Sequence, residues 1–344
     1  MILPVVSLGI FDPLYVAFGW FMRLLYDATG NYGIMIILFT IILRGLMIPL
    51  GIKQQKSTLK QQSLQGEIAE IQRAYPNDKA KQSQLQMELY KKHGASPLCG
   101  CLPSILQLII IWPIFRLIQA PLQYIMKIAA DNIKEIGNTL FQLTNSAGAT
   151  LITQTELSRV TTSNIPIINA LNDHASALAA VIDKNLMNLS QLIDLDFFGI
   201  NLGLTPTYLP AKLFGAEWQT YVPLLIFPLL TLVTTLIQMK ITRLTMPNRK
   251  KKAEDKEREK VNPARAGQAP EDKSESMMKS MNILMPVFML WTTFSMPSAM
   301  GLYWIIGNIM MILQSVMIYF LFTKKMDLAA KEAAREAEAK IIRN

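Results

Sequence analysis

Histidine, cysteine and charged residues are all scarce in this sequence. Its 344 residues include two histidines and two cysteines, and 17% are charged whereas 51% are hydrophobic. The scarcity of histidine argues against a histidine-based catalytic or metal centre. Cys99 and Cys101 have no further ligand residue nearby, so they are a weak indication of a metal site. The favoured interpretation is that they are small residues at the start of a helix. The low charge content excludes an ordinary soluble protein and favours a polytopic membrane protein with sizeable polar loops.

Basic residues outnumber acidic ones, and the formal net charge is +9. In a soluble protein this excess would suggest a nucleic-acid partner. In a membrane protein it is typical of cytoplasmic loops that face anionic lipids or a ribosome. We therefore expect membrane lipids among the partners and no nucleic-acid specificity.

Five apolar runs each have about the length that a membrane-spanning helix needs. The fourth run is short, and a few residues around Pro297–Gly301 join it to the fifth, which predicts a tight helical hairpin. Residues 1–31 mix apolar and charged side chains, which predicts an outer interfacial amphipathic helix over residues 12–28, with a short extra span as the alternative. The predicted spans are residues 32–52, 102–126, 219–241, 280–297 and 299–323.

The charges of the connecting segments predict how the chain is oriented. Segments 53–97, 242–279 and 324–344 carry 8, 11 and 6 Lys or Arg residues, whereas the long segment 127–218 carries five. The positive-inside rule therefore puts the first three in the cytoplasm and the last outside. Five spans then give an outer N-terminus and a cytoplasmic C-terminus.

The cytoplasmic segment 53–97 has the pattern of a helical hairpin. Its Gln- and Lys-rich sequence has high helix propensity, and Pro76–Asp78 is a turn signal between the two arms. The apolar residues of the first arm fall at helical spacing on one narrow stripe, so they are expected to pack the arms together. Segment 242–279 is predicted to be a flexible loop. Segment 127–218 is predicted to be a mostly helical outer cap, and segment 324–344 is predicted to be a helical tail. The stripe consists of Leu64, Ile68, Ile71 and Tyr75, and the second arm adds Leu85, Leu89 and Tyr90.

Arg44 is the single charged residue in the apolar run 33–52. It lies roughly 12 Å from the end marked by Lys53, near the middle of a hydrocarbon core ~30 Å thick. A charge at that depth costs at least about 2.5 kcal/mol and persists where it faces a wet cavity or a partner. Arg44 is therefore the leading candidate for a functional residue.

These features resemble one family, the YidC insertases, which are bacterial relatives of the mitochondrial oxidase-assembly and chloroplast Albino insertases. The resemblance rests on TIILRGLMIPL leading into KQQKS, on GASPLCGCLPSILQLIIIWPIFRLI and on MPVFMLWTTFSMPSAMGLYWIIGNIMMILQ. These strings occur in the family's order and cover roughly residues 12–126 and 196–323. The match looks closest to the five-span Gram-positive type, but the outer segment 127–218 looks longer than in typical members, and its role is not carried over.

The resemblance implies an all-α membrane protein with five transmembrane helices around a hydrophilic intramembrane groove. It implies a chaperone that inserts small membrane proteins, alone or with the Sec translocon, rather than an enzyme, and it implies no cofactor. Its expected location is the bacterial cell membrane. Its partners are nascent membrane-protein clients, while contact with the Sec translocon or the ribosome stays open. No phosphate loop is present, in agreement with insertion driven by burial of the client's apolar span.

Five residues match or suit the lining of that groove. Arg44 matches the groove arginine, and Thr40 and Trp304 match client-contacting positions, while Gln238 and Gln107 are uncharged polar residues within spans. Each has a structural alternative. The arginine can snorkel, the threonine can bond to its own helix, the glutamines can join helices, and the tryptophan can sit in an interfacial belt.

Two other functions remain open at this stage. A small-solute or anion transporter would use Arg44 as an anion site, but it would usually show repeats or paired broken helices, and neither is evident. A membrane scaffold built on segment 127–218 would not need Arg44.

Overall fold

The computed structural model describes residues 9, 11–94, 102–145, 148–245 and 284–324. Cys99 and Cys101, the predicted loop beyond residue 245 and the predicted tail beyond residue 324 lie outside these ranges. The described residues are mostly helical, with one two-stranded antiparallel sheet. They form two compact units. The first contains the described residues within 1–43, 107–232 and 289–307, and the second contains those within 44–106, 233–288 and 308–344.

The helices of the N-terminal half are α1 to α5, namely α1 (Asp12–Thr29), α2 (Tyr32–Ser63), α3 (Gln65–Ala74), α4 (Lys79–Lys92) and α5 (Leu102–Gln119). The segment that follows contains α6 (Pro121–Tyr124), α7 (Ala130–Gln142), α8 (Gln154–Leu157), α9 (Ile165–Asp173), α10 (Ala175–Asp183), β1 (Asp196–Phe197), β2 (Ile200–Asn201) and α11 (Pro210–Leu213). The C-terminal part contains α12 (Trp218–Leu224), α13 (Ile226–Leu244), α14 (Leu284–Thr293) and α15 (Ser298–Ile318), with a π-helical turn over Tyr319–Thr323.

Among the described residues, three helical stretches are long and apolar enough to cross a membrane, namely Tyr32–Gln54, Trp218–Leu244 and Ser298–Leu321. The pair Ile165–Asp173 and Ala175–Asp183, bent by 111°, would be a fourth if counted as one broken span. The three stretches correspond to the predicted first, third and fifth spans and make this chain an all-α polytopic membrane protein. Shorter apolar helices, Ile109–Gln119 within α5 and Leu284–Thr293, lie in the predicted second and fourth spans. The total of five spans therefore stays a prediction.

Helix α1 has one apolar face turned outward and one face packed. Val16, Trp20 and Leu24 are exposed at spacings of four residues, whereas Gly19 and Met22 are buried. An added Cβ at Gly19 would collide with the carbonyl oxygen of Tyr124, so the backbones of α1 and α6 are in close contact there. This two-faced pattern is typical of a helix that lies along a membrane surface. That α1 lies on the membrane rather than spanning it stays a prediction.

The outer segment folds on an apolar core shared with the ends of the flanking helices of the first unit. Tyr32 donates a hydrogen bond to the carbonyl of Ile118 over 3.1 Å, which joins α2 to α5. Asn164 is fully buried and accepts a hydrogen bond from the backbone N–H of Gln123, so its polar side chain is satisfied. The segment's own core residues include Ile133, Ile136, Leu140, Ile152, Val160, Ile165, Ile168, Leu171, Val181, Leu195 and Leu202.

The end of the outer segment is fastened to the start of α15. The backbone N–H of Ser298 donates to the carbonyl of Leu204 over 2.9 Å, and that of Ala299 donates to the carbonyl of Leu202 over 3.0 Å. The Ser298 hydroxyl adds a second bond to Leu204, over 2.8 Å. These contacts hold the end of the segment against the start of α15, although the two parts are about ninety residues apart in the sequence.

In the second unit, α3 and α4 form the hairpin that the apolar stripe predicts. Leu64, Ile68 and Leu89 are buried together, and Ile71 and Tyr90 pack against them. Asp78 caps α4 by accepting from the backbone N–H of Lys81 over 2.9 Å. Two details differ from the prediction: Tyr75 is exposed, and the first arm begins as a continuation of α2, which runs on through polar residues to Ser63.

Candidate functional site

Arg44 lies near the middle of the apolar stretch Tyr32–Gln54 and is half-buried, with its Nε fully buried. The residues on the opposite side of α2 point away from the protein, since Ile42 is 38% and Leu46 is 74% exposed. The guanidinium therefore does not share the lipid-exposed side of the helix. This placement fits an inward-facing charge better than one that snorkels from a lipid-facing position.

Thr40 precedes Arg44 by one turn in α2 and is fully buried. Its hydroxyl donates to the carbonyl of Ile36 over 2.7 Å, so its hydrogen-bonding capacity is already used within the helix. The structural alternative for Thr40 is thus present in this structure. Contact with a client at Thr40 stays a prediction, and it requires movement of the surrounding packing.

Trp304 lies in α15 and is only 6% exposed. Its indole Nε1 is buried and has no hydrogen-bond partner among the described residues. A tryptophan in an interfacial belt keeps its N–H near water or headgroups, so full burial of the ring does not fit that alternative. A buried N–H donor without a partner favours a ligand that supplies an acceptor.

Gln238 belongs to a polar face of α13 in the second unit. Its side-chain amide donates to the hydroxyl of Thr242 over 3.1 Å. The opposite face of α13 is apolar and exposed, with Val233, Leu236 and Ile237 turned outward. Within a span this arrangement keeps polar groups inside the protein and apolar groups toward lipid.

The same face includes residues that the sequence analysis did not single out. The side-chain amide of Asn308, in α15, donates to the hydroxyls of Thr234 and Thr235 over 3.1 and 2.9 Å. Two features of the sequence could have indicated these residues, namely an asparagine within a predicted span and a Thr-Thr pair one turn before Gln238. The pairing itself depends on how α13 and α15 pack, which the sequence does not state.

Gln107 and Arg116 both lie in α5. Gln107 has a described backbone, but its side chain lies outside the described set. Arg116 donates to the carbonyl of Thr162 over 3.0 Å and lies 5.7 Å from the ring centre of Tyr124. Arg116 therefore joins α5 to segment 127–218.

The predicted site residues fall in both compact units. Thr40 and Trp304 belong to the first, and Arg44 and Gln238 to the second. Their assembly into one groove accordingly stays a prediction. No group of three His, Cys, Asp or Glu residues that could hold a metal ion occurs within the described ranges.

A cleft of about 790 Å³ lies in the first unit and is lined by none of the predicted site residues. Its charged lining residues are Glu156, Arg159 and Lys212. A 2.8 Å hydrogen bond from the Lys212 ammonium to the Tyr221 hydroxyl raises the pKa of this lysine, so it stays charged at neutral pH. Most of the residues that line the cleft belong to segment 127–218.

Replacement of Asn308 by leucine should loosen the contact between α13 and α15. The two hydroxyls of Thr234 and Thr235 would lose the Asn308 donor, and interhelical hydrogen bonds of this kind contribute roughly 0.6 to 2 kcal/mol each. We expect a lower thermal unfolding midpoint in detergent for Asn308→Leu. Leu313→Ala, at an exposed position of the same helix, is the control and should change the midpoint less. An unchanged midpoint for Asn308→Leu would show that the pair does not hold the helices together.

Comparison with known proteins adds an independent finding. Residues 24–325 match the family model described as 60Kd inner membrane protein. Proteins named membrane protein insertase YidC are similar over shorter stretches. The relative from Geobacter sp. strain M21 is 38% identical over 112 residues, which is 33% of this chain and 21% of the relative.

Two further relatives of the same name give a similar picture. The one from Brucella suis is 32% identical over 111 residues, covering 32% of this chain and 18% of the relative. The one from Syntrophus aciditrophicus is 41% identical over 95 residues, covering 28% and 18%. The matched stretch thus spans about a fifth of the length of these curated relatives.

Proposed function

This chain belongs to the family of the 60Kd inner membrane protein, and from that premise we propose that it inserts other membrane proteins into the lipid bilayer. The relatives that it resembles carry the name membrane protein insertase. The observation that carries the proposal is Arg44, a half-buried charge near the middle of an apolar span. Since the matched stretch covers about a fifth of those relatives, their full activity is an inference for this chain.

In the proposed mechanism, Arg44 attracts acidic or polar groups of the client's outer tail. Two unit charges about 4 Å apart interact by roughly 4 kcal/mol at an effective dielectric constant of 20, which is enough to hold a short acidic segment. Arginine suits this task because its guanidinium stays charged and offers five donors. Gln238 and Asn308, with Gln107, supply uncharged polar groups, and Trp304 offers a buried N–H to a passing carbonyl.

The free energy for insertion comes from the client itself. As the tail enters the groove, the client's apolar span moves from water into lipid, and each buried CH₂ group contributes about 0.8 kcal/mol. Burial of a span of about 20 apolar residues releases far more free energy than the transfer of a short polar tail requires. The proposed clients are therefore small proteins with one or two spans and short outer tails.

The hairpin of α3 and α4 is proposed as the cytoplasmic receiving surface for clients. Apart from Tyr75 and Met87, its described exposed side chains are mostly polar, so it suits transient contacts better than a permanent apolar interface. The Sec translocon and the ribosome are proposed as further partners at this side. The proposed location is the bacterial cell membrane, with the N-terminus outside and the C-terminus in the cytoplasm, as the charges of the loops indicate.

Reconstitution tests the proposal directly. The protein alone in liposomes should insert a single-span client with a short acidic outer tail, so that protease leaves a protected fragment absent from protein-free liposomes. A flux assay for small anions in the same liposomes separates this function from transport. Anion flux without client insertion by a folded, monodisperse sample would replace the insertase proposal with a transporter.

A further inference from the structure

The sheet of the outer segment ends in a tip that presents a bare aromatic ring. Strands β1 and β2 pair Asp196 with Asn201 and Phe197 with Ile200, so Phe198 and Gly199 form a two-residue turn. Phe198 is 86% exposed, and its ring contacts Phe197 edge to face with the ring centres 4.7 Å apart. Hardly any of the Phe198 side chain is buried by the folded protein.

The backbone at this tip is unfavourable for phenylalanine. Phe198 has φ 54° and Gly199 has φ 79°, so both central residues of the turn are left-handed. Turns of this kind prefer asparagine followed by glycine, because a bulky side chain is strained at positive φ. A strained and exposed phenylalanine is therefore not explained by the folding of the sheet, and it suits a contact with something outside the protein.

The sheet is fastened to the beginning of a membrane-spanning stretch. The Asn31 side chain donates to the carbonyl of Asp196 over 3.1 Å. The ring of Phe197 lies against Gly33, where an added Cβ would collide with it. Asn31 directly precedes α2 and Gly33 lies in its first turn, where the apolar stretch Tyr32–Gln54 begins.

A second spanning stretch also begins beside this sheet, which places the sheet at the same depth relative to the membrane. Strand β2 contacts α12, and the apolar stretch Trp218–Leu244 begins with that helix. Trp218 is itself exposed, and Phe214, four residues earlier, is 86% exposed. Two spans that begin beside one hairpin place its tip at the level where the chain enters the membrane. Tryptophan is enriched at that level, and an apolar ring such as that of phenylalanine is buried at the boundary between headgroups and acyl chains.

We propose that the Phe198 turn inserts into the headgroup region of the adjacent leaflet and anchors the outer segment to the lipid surface. In the proposed orientation this is the outer leaflet. The occupant is neutral lipid rather than an anionic headgroup, since Asp194 and Asp196 are exposed at the base of the turn. This inference rests on the two span starts and not on the insertase function.

Fluorescence quenching measures the depth of the turn. The full chain carrying Cys99→Ser, Cys101→Ser and Phe198→Cys is labelled with a small fluorophore and reconstituted in phosphatidylcholine vesicles. We expect strong quenching by lipid bearing a nitroxide near its headgroup and weak quenching by aqueous iodide. Thr150→Cys, at the exposed Thr144–Thr150 bridge of the same segment, is the matched control, and its probe should respond to iodide instead.

Cross-linking of the native ring provides a second readout. A photoactivatable phosphatidylcholine should label the peptide that contains Phe198, and Phe198→Asn, which suits the left-handed turn, should lose that label without loss of folding. A probe at position 198 that responds to iodide like the probe at 150 would overturn the proposal. Quenching by neither agent would also overturn it, because the turn would then be covered by protein.

Discussion

Arg44→Ala should reduce client insertion in the reconstituted system at least tenfold, while Arg44→Lys should retain most of it. Arg44 lies in the middle of an apolar stretch and away from the lipid-exposed side of α2. Every 1.4 kcal/mol is a factor of ten, and the proposed attraction between Arg44 and an acidic tail is roughly three times larger. Lysine keeps the charge but loses the planar pair of donors, so a partial loss is expected.

The client gives the sharpest control for this prediction. Neutralising the acidic residues of the client's outer tail should weaken its insertion by the wild-type protein. The same change should cause little further loss with Arg44→Ala, because both changes remove the same interaction. Lys53→Ala, at the end of the same apolar run, controls for general loss of positive charge. Equal insertion by wild type and Arg44→Ala would assign the arginine a structural role and leave the groove without a cationic site.

Gly19→Leu should cause a large loss of stability by forcing α1 away from α6. A side chain at this position collides with the carbonyl oxygen of Tyr124, and backbone cannot move aside as a flexible side chain does. The ring contact between Tyr15 and Tyr124, with centres 4.9 Å apart, depends on the same close approach. Overpacking of this kind typically costs 1 to 3 kcal/mol, and we expect about 3 kcal/mol here.

Gly45→Leu is the matched control for Gly19→Leu. Gly45 also lies within a helix, but nothing lies within 4 Å of an added Cβ. Its replacement should leave stability unchanged or raise it by up to about 1 kcal/mol, because leucine favours helix over glycine. The measurement is the unfolding midpoint of both variants in detergent. Similar midpoints for both variants would mean that α1 is not docked against α6 as described.

Local patterns in the sequence predict the elements whose spacing is local. The amphipathic N-terminal helix is expected over residues 12–28 and is observed over Asp12–Thr29. The stripe of Leu64, Ile68 and Leu89 predicts the packing of α3 on α4, because helical spacing alone brings those residues to one face. The long apolar runs likewise predict the three observed spanning stretches.

Other features depend on contacts between distant parts of the chain. The burial of the Trp304 indole and the bonds from Asn308 to two threonines arise from helix packing, and no periodicity encodes them. The two strands have two residues each, too short for an alternating pattern to be recognised. The assembly of Arg44, Thr40, Trp304, Gln238 and Gln107 into one groove is a hypothesis that both the sequence and the fold leave to experiment.

The fastening of the outer segment to α15 also constrains the biogenesis of this protein. The carbonyls of Leu202 and Leu204 accept hydrogen bonds from the backbone N–H groups of Ala299 and Ser298, respectively. These donors leave the ribosome about ninety residues later. In the proposed orientation, segment 127–218, which contains Leu202 and Leu204, crosses the membrane before those partners are synthesised. A protein proposed to carry short tails across a bilayer thus needs, for its own assembly, a route for a much longer one.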